Sequence, residues 1–371
     1  MTGDNRIVSI DFWRGVALLT IFINHVPGNV LEGYTYRNFG FSDAAELFVL
    51  LAGVSAAFAY LKPFEPGMRL RVTAKIGLRA FQLYTAHIAL FVIAFAVVGG
   101  FAMSSGDSRV LGMFHFDVMS TLPVESLIGL TWLTYQPAYL NILPMYVVLM
   151  LLAPVLIALV RANILLGLGC SAALYVATQL LDLALPIWPN DGRWFFNPLA
   201  WQFLFTCGLA IGKVLGGGGA VVGNRVLDVV AGAVVVGGIV LTWHGHPAPL
   251  DLSPLPAFLW EFDKTNLALP RLLHVLAVAY CVSRLPLERW LRSASVATPL
   301  IVMGRHALPV FCVGTVLSFA AQVSRPMFNG ALFADLVILS CGILVHAVLA
   351  WALEWHRSGI RAAAKAGTSP V

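Results

Sequence analysis

The chain has 371 residues, of which 59% are hydrophobic and only 11% charged, less than half the charged fraction of an ordinary soluble domain. Its net charge is +5 at pH 7 and no nucleic-acid motif accompanies it; short basic loops facing anionic lipid account for such an excess. A soluble globular domain and a nucleic-acid binder are thereby excluded, and a protein that uses lipid as its solvent remains.

A bilayer core of about 30 Å takes roughly 20 apolar helical residues. The sequence predicts ten such runs: 8–26, 42–61, 76–100, 139–160, 163–185, 198–215, 224–243, 268–284, 299–322 and 331–354. They are continuously apolar without strand alternation, so the expected class is all-α, a polytopic helical bundle, and not a barrel. The first run carries Asp11 and Arg14 with no cleavage pattern behind it, and is expected to stay as a span instead of being removed as a signal peptide. The long connections 101–138 and 244–267 contain short apolar stretches that suit re-entrant segments. Residues 216–219 are a glycine run that reads as a flexible connection, and no fixed-period repeat divides the chain, so residues 1–371 are expected to form a single membrane domain.

Basic residues set the orientation. With the N-terminus inside, Arg6, Lys62, Arg69, Arg71, Lys75, Arg79, Arg161, Lys213, Arg225, Arg284, Arg289, Arg292, Arg357, Arg361 and Lys365 fall on the cytoplasmic side, and only Arg37, Arg109, Arg193, Lys264 and Arg325 outside. Both termini are then cytoplasmic. Cys170, Cys207, Cys281, Cys312 and Cys341 all lie inside runs without a CxxC pair and read as packing. His244 and His246 sit in a loop beside Pro247, so no metal site is expected.

Ionisable residues inside spans are costly and mark cavities or pathways. The first run reads SIDFWRGVALLTIFINH, and the eleven-residue step from Arg14 to His25 is close to three helical turns. The two side chains therefore share one face, about 16 Å apart along the axis, with Asp11 a turn below Arg14. The plainer role for Asp11 and Arg14 is an i, i+3 ion pair that lowers insertion cost. The second run opens GFSDAAELFVLLAG and puts Asp43 and Glu46 at the depth of His25, although Asp43 also suits a helix cap. Further polar groups at that depth are Asn141, Asn197, Lys264, Asn266, Arg271 and His274, while Arg305 and His306 open the ninth run near the depth of Arg14. A histidine with a carboxylate nearby is the minimal pair for general-base catalysis.

The segments IDFWRGVALLTIFINHVPGN, NFGFSDAAELFVLLAG, LNILPMYVVLML, NPLAWQFLF, DKTNLALPRLLH and GRHALPVFCVGTVLSF, in this order, resemble the OpgC family, succinyltransferases of osmoregulated periplasmic glucans within the transmembrane acyltransferase superfamily. The superfamily pattern of Arg, ten residues, His falls on Arg14 and His25. The resemblance implies acyl transfer from cytoplasmic acyl-CoA, a co-substrate and not a bound cofactor, to hydroxyls of a periplasmic glucan at a bacterial inner membrane. Under it, His25 is the expected catalytic base with Asp43 or Glu46 orienting it. Arg14, Asp11, Arg305 and His306 are expected at the acyl-CoA end, and Asn141, Asn197, Lys264, Asn266, Arg271 and His274 at the acceptor or oxyanion. The expected partners are lipid, acyl-CoA and glucan; self-association stays open. A transporter or flippase of a lipid-linked sugar or anion is the alternative that shares the span count and the charged stripe.

Overall fold

The computed structural model describes residues 7–219, 223–243, 252–328 and 331–366. Among the described residues every regular element is helical, as lipid demands of a backbone that must satisfy its own N–H and C=O groups. His244 and His246 lie outside the described residues. The chain divides into two compact units, residues Met1–Thr35 with Leu285–Val371, and residues Tyr36–Arg284.

The first unit joins the start of the chain to its end. It contains α1 (Val8–Asn24), α12 (Leu287–Ser293), α13 (Thr298–Arg305), α14 (Ala307–Ser324) and α15 (Leu332–Ala366). Nothing in the side chain of Ile7 caps α1. The job falls to Glu288 of α12, whose two carboxylate oxygens accept the Val8 and Ser9 N–H groups at 3.0 Å each. Helices attract one another in lipid by close packing at small residues and not by hydrophobicity, and α1 meets α13 in this way. A Cβ at Gly15 would overlap the Leu300 carbonyl, and one at Gly304 would overlap that of Asp11. Two apolar clusters secure the ends of α1: Val8 with Leu291, Ala297 and Ile301, and Phe22 and Val26 with Ala321 and Leu339.

The second unit contains α2 (Ala44–Ala56, continued by a π-helical stretch to Leu61), α3 (Arg69–Ser105), α4 (Arg109–Met113), α5 (Asp117–Thr121), α6 (Pro123–Thr131), α7 (Ile142–Ala162), α8 (Ile164–Leu180), α9 (Pro198–Gly216), α10 (Arg225–Trp243) and α11 (Leu269–Ser283). Its most extensive contact is α2 against α9, where Gly53 and Gly208 let the backbones touch. One stripe of α3, including Val72, Ile76, Ala80, Leu83 and Leu90, is buried, and α3 packs on α7. The short helices α4, α5 and α6 occupy much of the long connection 101–138.

Among the described residues seven helices are long and apolar enough to cross a membrane, and α8 and α11 are shorter apolar helices. At 17 residues, α1 is about 26 Å long, slightly under the thickness of the hydrocarbon. The tenth span runs on to Ala366 and not 354, the fifth ends at Leu180 and not 185, and two more differ in detail. The third begins at Arg69 and not near residue 76, because Arg and Lys are good helix formers and its basic end carries the helix beyond the apolar stretch. The ninth, expected as one helix over 299–322, breaks at His306, which adopts φ −110° and ψ 39° between α13 and α14. Pro309 is the cause. It has no N–H for the Arg305 carbonyl, and its ring disfavours a continuous helix through that turn.

Candidate functional site

Polar side chains gather at three places, two of them at opposite ends of α1. At its N-terminal end Arg14 Nη1 lies 3.4 Å from Asp11 Oδ1, the i, i+3 pair that the spacing allows. The cluster is larger than that pair. Asp11 Oδ2 lies 3.6 Å from Arg305 Nε, Arg305 Nη1 lies 3.3 Å from Glu354 Oε1, and His306 Nε2 lies 2.8 Å from Glu354 Oε2. The break before α14 is what lets the adjacent Arg305 and His306 both turn towards one carboxylate of α15. Two acids thus hold two guanidiniums and an imidazole, an arrangement that keeps fork-shaped donors in place for an anionic or carbonyl group.

At the other end His25 is the C-cap of α1, with its N–H given to the Ile21 and Phe22 carbonyls. Beside it Thr35 donates to Asn24 at 2.8 Å, and the Asn29 amide donates to the Ile23 and Val26 carbonyls at 2.8 and 2.7 Å. The last turn of the helix is therefore fastened by side chains in place of water. The 17-residue helix carries Arg14 in its first half and His25 at its C-cap, with ten residues between them and in register.

The third cluster lies in the second unit. Asp43 and Glu46 form a capping box on α2: Asp43 accepts the Ala45 N–H at 2.8 Å, and Glu46 accepts the Asp43 N–H at 2.9 Å. The same two acids also carry an ionic network. Lys264 bonds Asp43, and Arg271 reaches Glu46 at 2.6 Å and Asp43 at 3.6 Å, with the Glu46 side chain wholly buried. Two charges of each sign balance. Burial pushes the nearby Tyr36 hydroxyl well above its usual pKa, and the charges of Asp43 and Glu46 push it the same way, so it stays protonated.

Above this network is a cavity of about 270 Å³ whose lining includes Arg37, Asn38, Ser42, Asp43 and Arg271, with Phe41 stacked on Phe262 at 4.4 Å. Ser42 is bonded to His274 Nδ1 at 2.7 Å. The His274 ring fills a slot between Gly40, at φ +150°, and Gly238; a Cβ at either would collide with it. Asn197 caps α9 through Leu199 N–H and donates to the Leu183 carbonyl at 2.7 Å and to Asn266 at 2.9 Å. That pair forms a strut between α9 and the 263–267 turn. Asn141 stands at the start of α7 without a side-chain cap bond.

A family model described as OpgC protein matches residues 6–358. The chain belongs to the OpgC family. No curated protein and no solved structure matches it. Membership of the OpgC family gives the chain an acyltransferase-like role, and its apolar helices make it a membrane protein.

For this OpgC-family chain the structure groups Asp11, Arg14, Arg305 and His306 in one unit, and Asp43, Glu46, Lys264 and Arg271 in the other; His25 belongs to the first. The spacing of the sequence does not show that Glu354 joins the Asp11 cluster, that Glu288 caps α1, or that Arg325 pairs with Asp335 at 2.6 Å. A signal for two of them was present. Asp335 and Glu354 are carboxylates in an otherwise apolar run, the same feature that singles out Asp11.

Proposed function

We propose that this OpgC-family chain is a membrane-embedded O-acyltransferase that moves an acyl group, succinyl by the resemblance, from cytoplasmic acyl-CoA to hydroxyls of a periplasmic glucan. The observation that supports this reading most is α1 itself. One face of an unbroken helix carries an acid-braced guanidinium, Arg14, in its first half and His25 at its C-cap. A donor and an acceptor that reach the protein from opposite sides of a bilayer need such a helix between them.

In the proposed reaction His25 takes the proton of a glucan hydroxyl as its oxygen attacks the thioester carbonyl. The tetrahedral intermediate then collapses, the C–S bond breaks, and the leaving CoA thiolate takes the proton that His25 accepted, which returns the imidazole to its neutral form. Arg14, Arg305 and His306, held by Asp11 and Glu354, serve the acyl-CoA. Within the second unit Lys264 and Arg271, fixed by two carboxylates, are cations of the kind that an anionic group such as a succinyl carboxylate requires. Basic loop residues place both termini in the cytoplasm under this reading. Reporter fusions at residue 68 and near Ser108 should then report cytoplasm and periplasm respectively.

The test is turnover. Purified chain given succinyl-CoA should release CoA thiol when periplasmic glucan is added, and the glucan should gain the mass of a succinyl group. Label that crosses vesicles with the thioester intact, and no thiol release, would show a transporter instead.

A further inference from the structure

Two residues behind His25 the chain turns through Pro27 and Gly28; Glu32 accepts the Gly28 N–H from within the turn's own neighbourhood, and the remaining clamp comes from the far end of the sequence. Arg325 Nη1 donates to the Pro27 carbonyl at 3.0 Å and Nη2 to the Gly28 carbonyl at 2.5 Å. The same guanidinium is gripped from its other edge by Asp335, Nε to Oδ1 at 2.6 Å and Nη2 to Oδ2 at 3.1 Å. Asp335, only 4% exposed, also accepts the Val30 N–H at 3.2 Å. One Arg–Asp pair therefore fastens residues 27, 28 and 30 together.

We infer that Arg325 and Asp335 are positioning residues for His25, fixing the turn that sets where the α1 C-cap imidazole points. This inference rests on His25 being the base proposed above. Three features separate the pair from an ordinary surface ion pair. The carboxylate is buried, and a buried pair with full hydrogen bonding keeps a defined geometry that an exposed one does not. Among the described residues, the guanidinium's hydrogen bonds go either to the turn or to the acid that also holds the turn. Finally, the turn is shaped for its clamp: Gly28 sits at φ +75°, and a Cβ there would lie 3.1 Å from Arg325 Nη1. Beneath it, Phe22 and Val26 pack on Ala321 and Leu339, so the turn is anchored by apolar contacts on one side and by the clamp on the other.

A lysine cannot reproduce this. Its single ammonium has no planar fork with which to meet two carbonyls and grip a carboxylate at two points. Positioning errors of about 1 Å cost roughly a hundredfold in rate, so the clamp should matter to kcat far more than to donor binding.

The experiment uses the full-length chain with succinyl-CoA as donor and periplasmic glucan as acceptor, in wild type, Arg325→Lys, Asp335→Asn, His25→Ala and each clamp variant combined with His25→Ala. Asp335→Asn keeps the volume of the side chain and serves if Arg325→Lys is poorly folded. We expect the single clamp variants to lose about ten- to a hundredfold in kcat with KM for succinyl-CoA nearly unchanged. In the His25→Ala background the same substitutions should remove nothing further from the residual rate. A clamp variant with full kcat, while His25→Ala is inactive, overturns this inference and leaves the acyltransferase reading standing. So does a loss that adds in full to that of His25→Ala, because it assigns the pair a purely structural role. An active His25→Ala overturns the base assignment and this inference with it.

Discussion

Arg271 and Glu46, 225 positions apart in sequence, meet through a 2.7 Å hydrogen bond from Nε to Oε1. Glu46 is wholly buried and also closes the capping box of α2, so one carboxylate both starts a helix and neutralises a guanidinium. Removing one member of a buried pair leaves the other charge uncompensated, at about 3 to 5 kcal/mol, whereas replacing both with apolar groups is often close to neutral. Glu46→Leu and Arg271→Met should each lower the thermal midpoint in detergent strongly, and the double variant should recover much of the loss. Simple addition of the two losses would show that the pair is not coupled.

Glu288 offers a pH test outside the membrane spans. Burial raises its carboxyl, but the N–H groups of Ser9 and Val8, and Arg292, more than offset this and hold it below the usual glutamate value. A depressed carboxyl stabilises the fold above its unfolded pKa of about 4.3, and that contribution is lost as pH falls through the folded value. Glu288→Gln keeps one acceptor oxygen for two N–H groups and should cost about 1 kcal/mol at neutral pH. Melting curves of the two proteins should converge once pH has fallen through the folded value; a gap that persists in acid would mean the charge is not what caps α1.

Arg14 is braced by Asp11, and its planar fork suits phosphate or a thioester better than an ammonium does. Arg14→Lys should raise the requirement for acyl-CoA roughly tenfold, the loss of one charge-assisted hydrogen bond, and change that for glucan far less. Equal effects on both substrates would leave only the ion pair as its role.

The helices were legible because apolar runs without alternation have one solution in lipid, and the cap of α2 was legible because Asp43, a capping residue, stands just before an apolar run. Pro309 marked the break at His306, yet the apolar stretch around it outweighed that signal in a window of span length. Pairings between distant helices were a different matter. Sequence spacing places Arg14 over Asp11 within one helix, but it carries no information that Arg305 and Glu354 reach the same cluster, or that Lys264 and Arg271 fall on Asp43 and Glu46. Asn197 has partners that spacing did not show either. Read as an acceptor-side polar group, it is occupied by a cap, the Leu183 carbonyl and Asn266.

The account rests on His25 as the base, and acyl transfer by full-length His25→Ala tests it most directly. Transfer from succinyl-CoA to glucan should fall about a hundred- to ten-thousand-fold, while acyl-CoA binding and the thermal midpoint stay near those of wild type. Wild-type turnover should also decline in acid, because only the neutral ring can accept the proton. A well-folded His25→Ala chain that binds acyl-CoA and still transfers acyl groups within a few-fold of wild type would contradict the central claim.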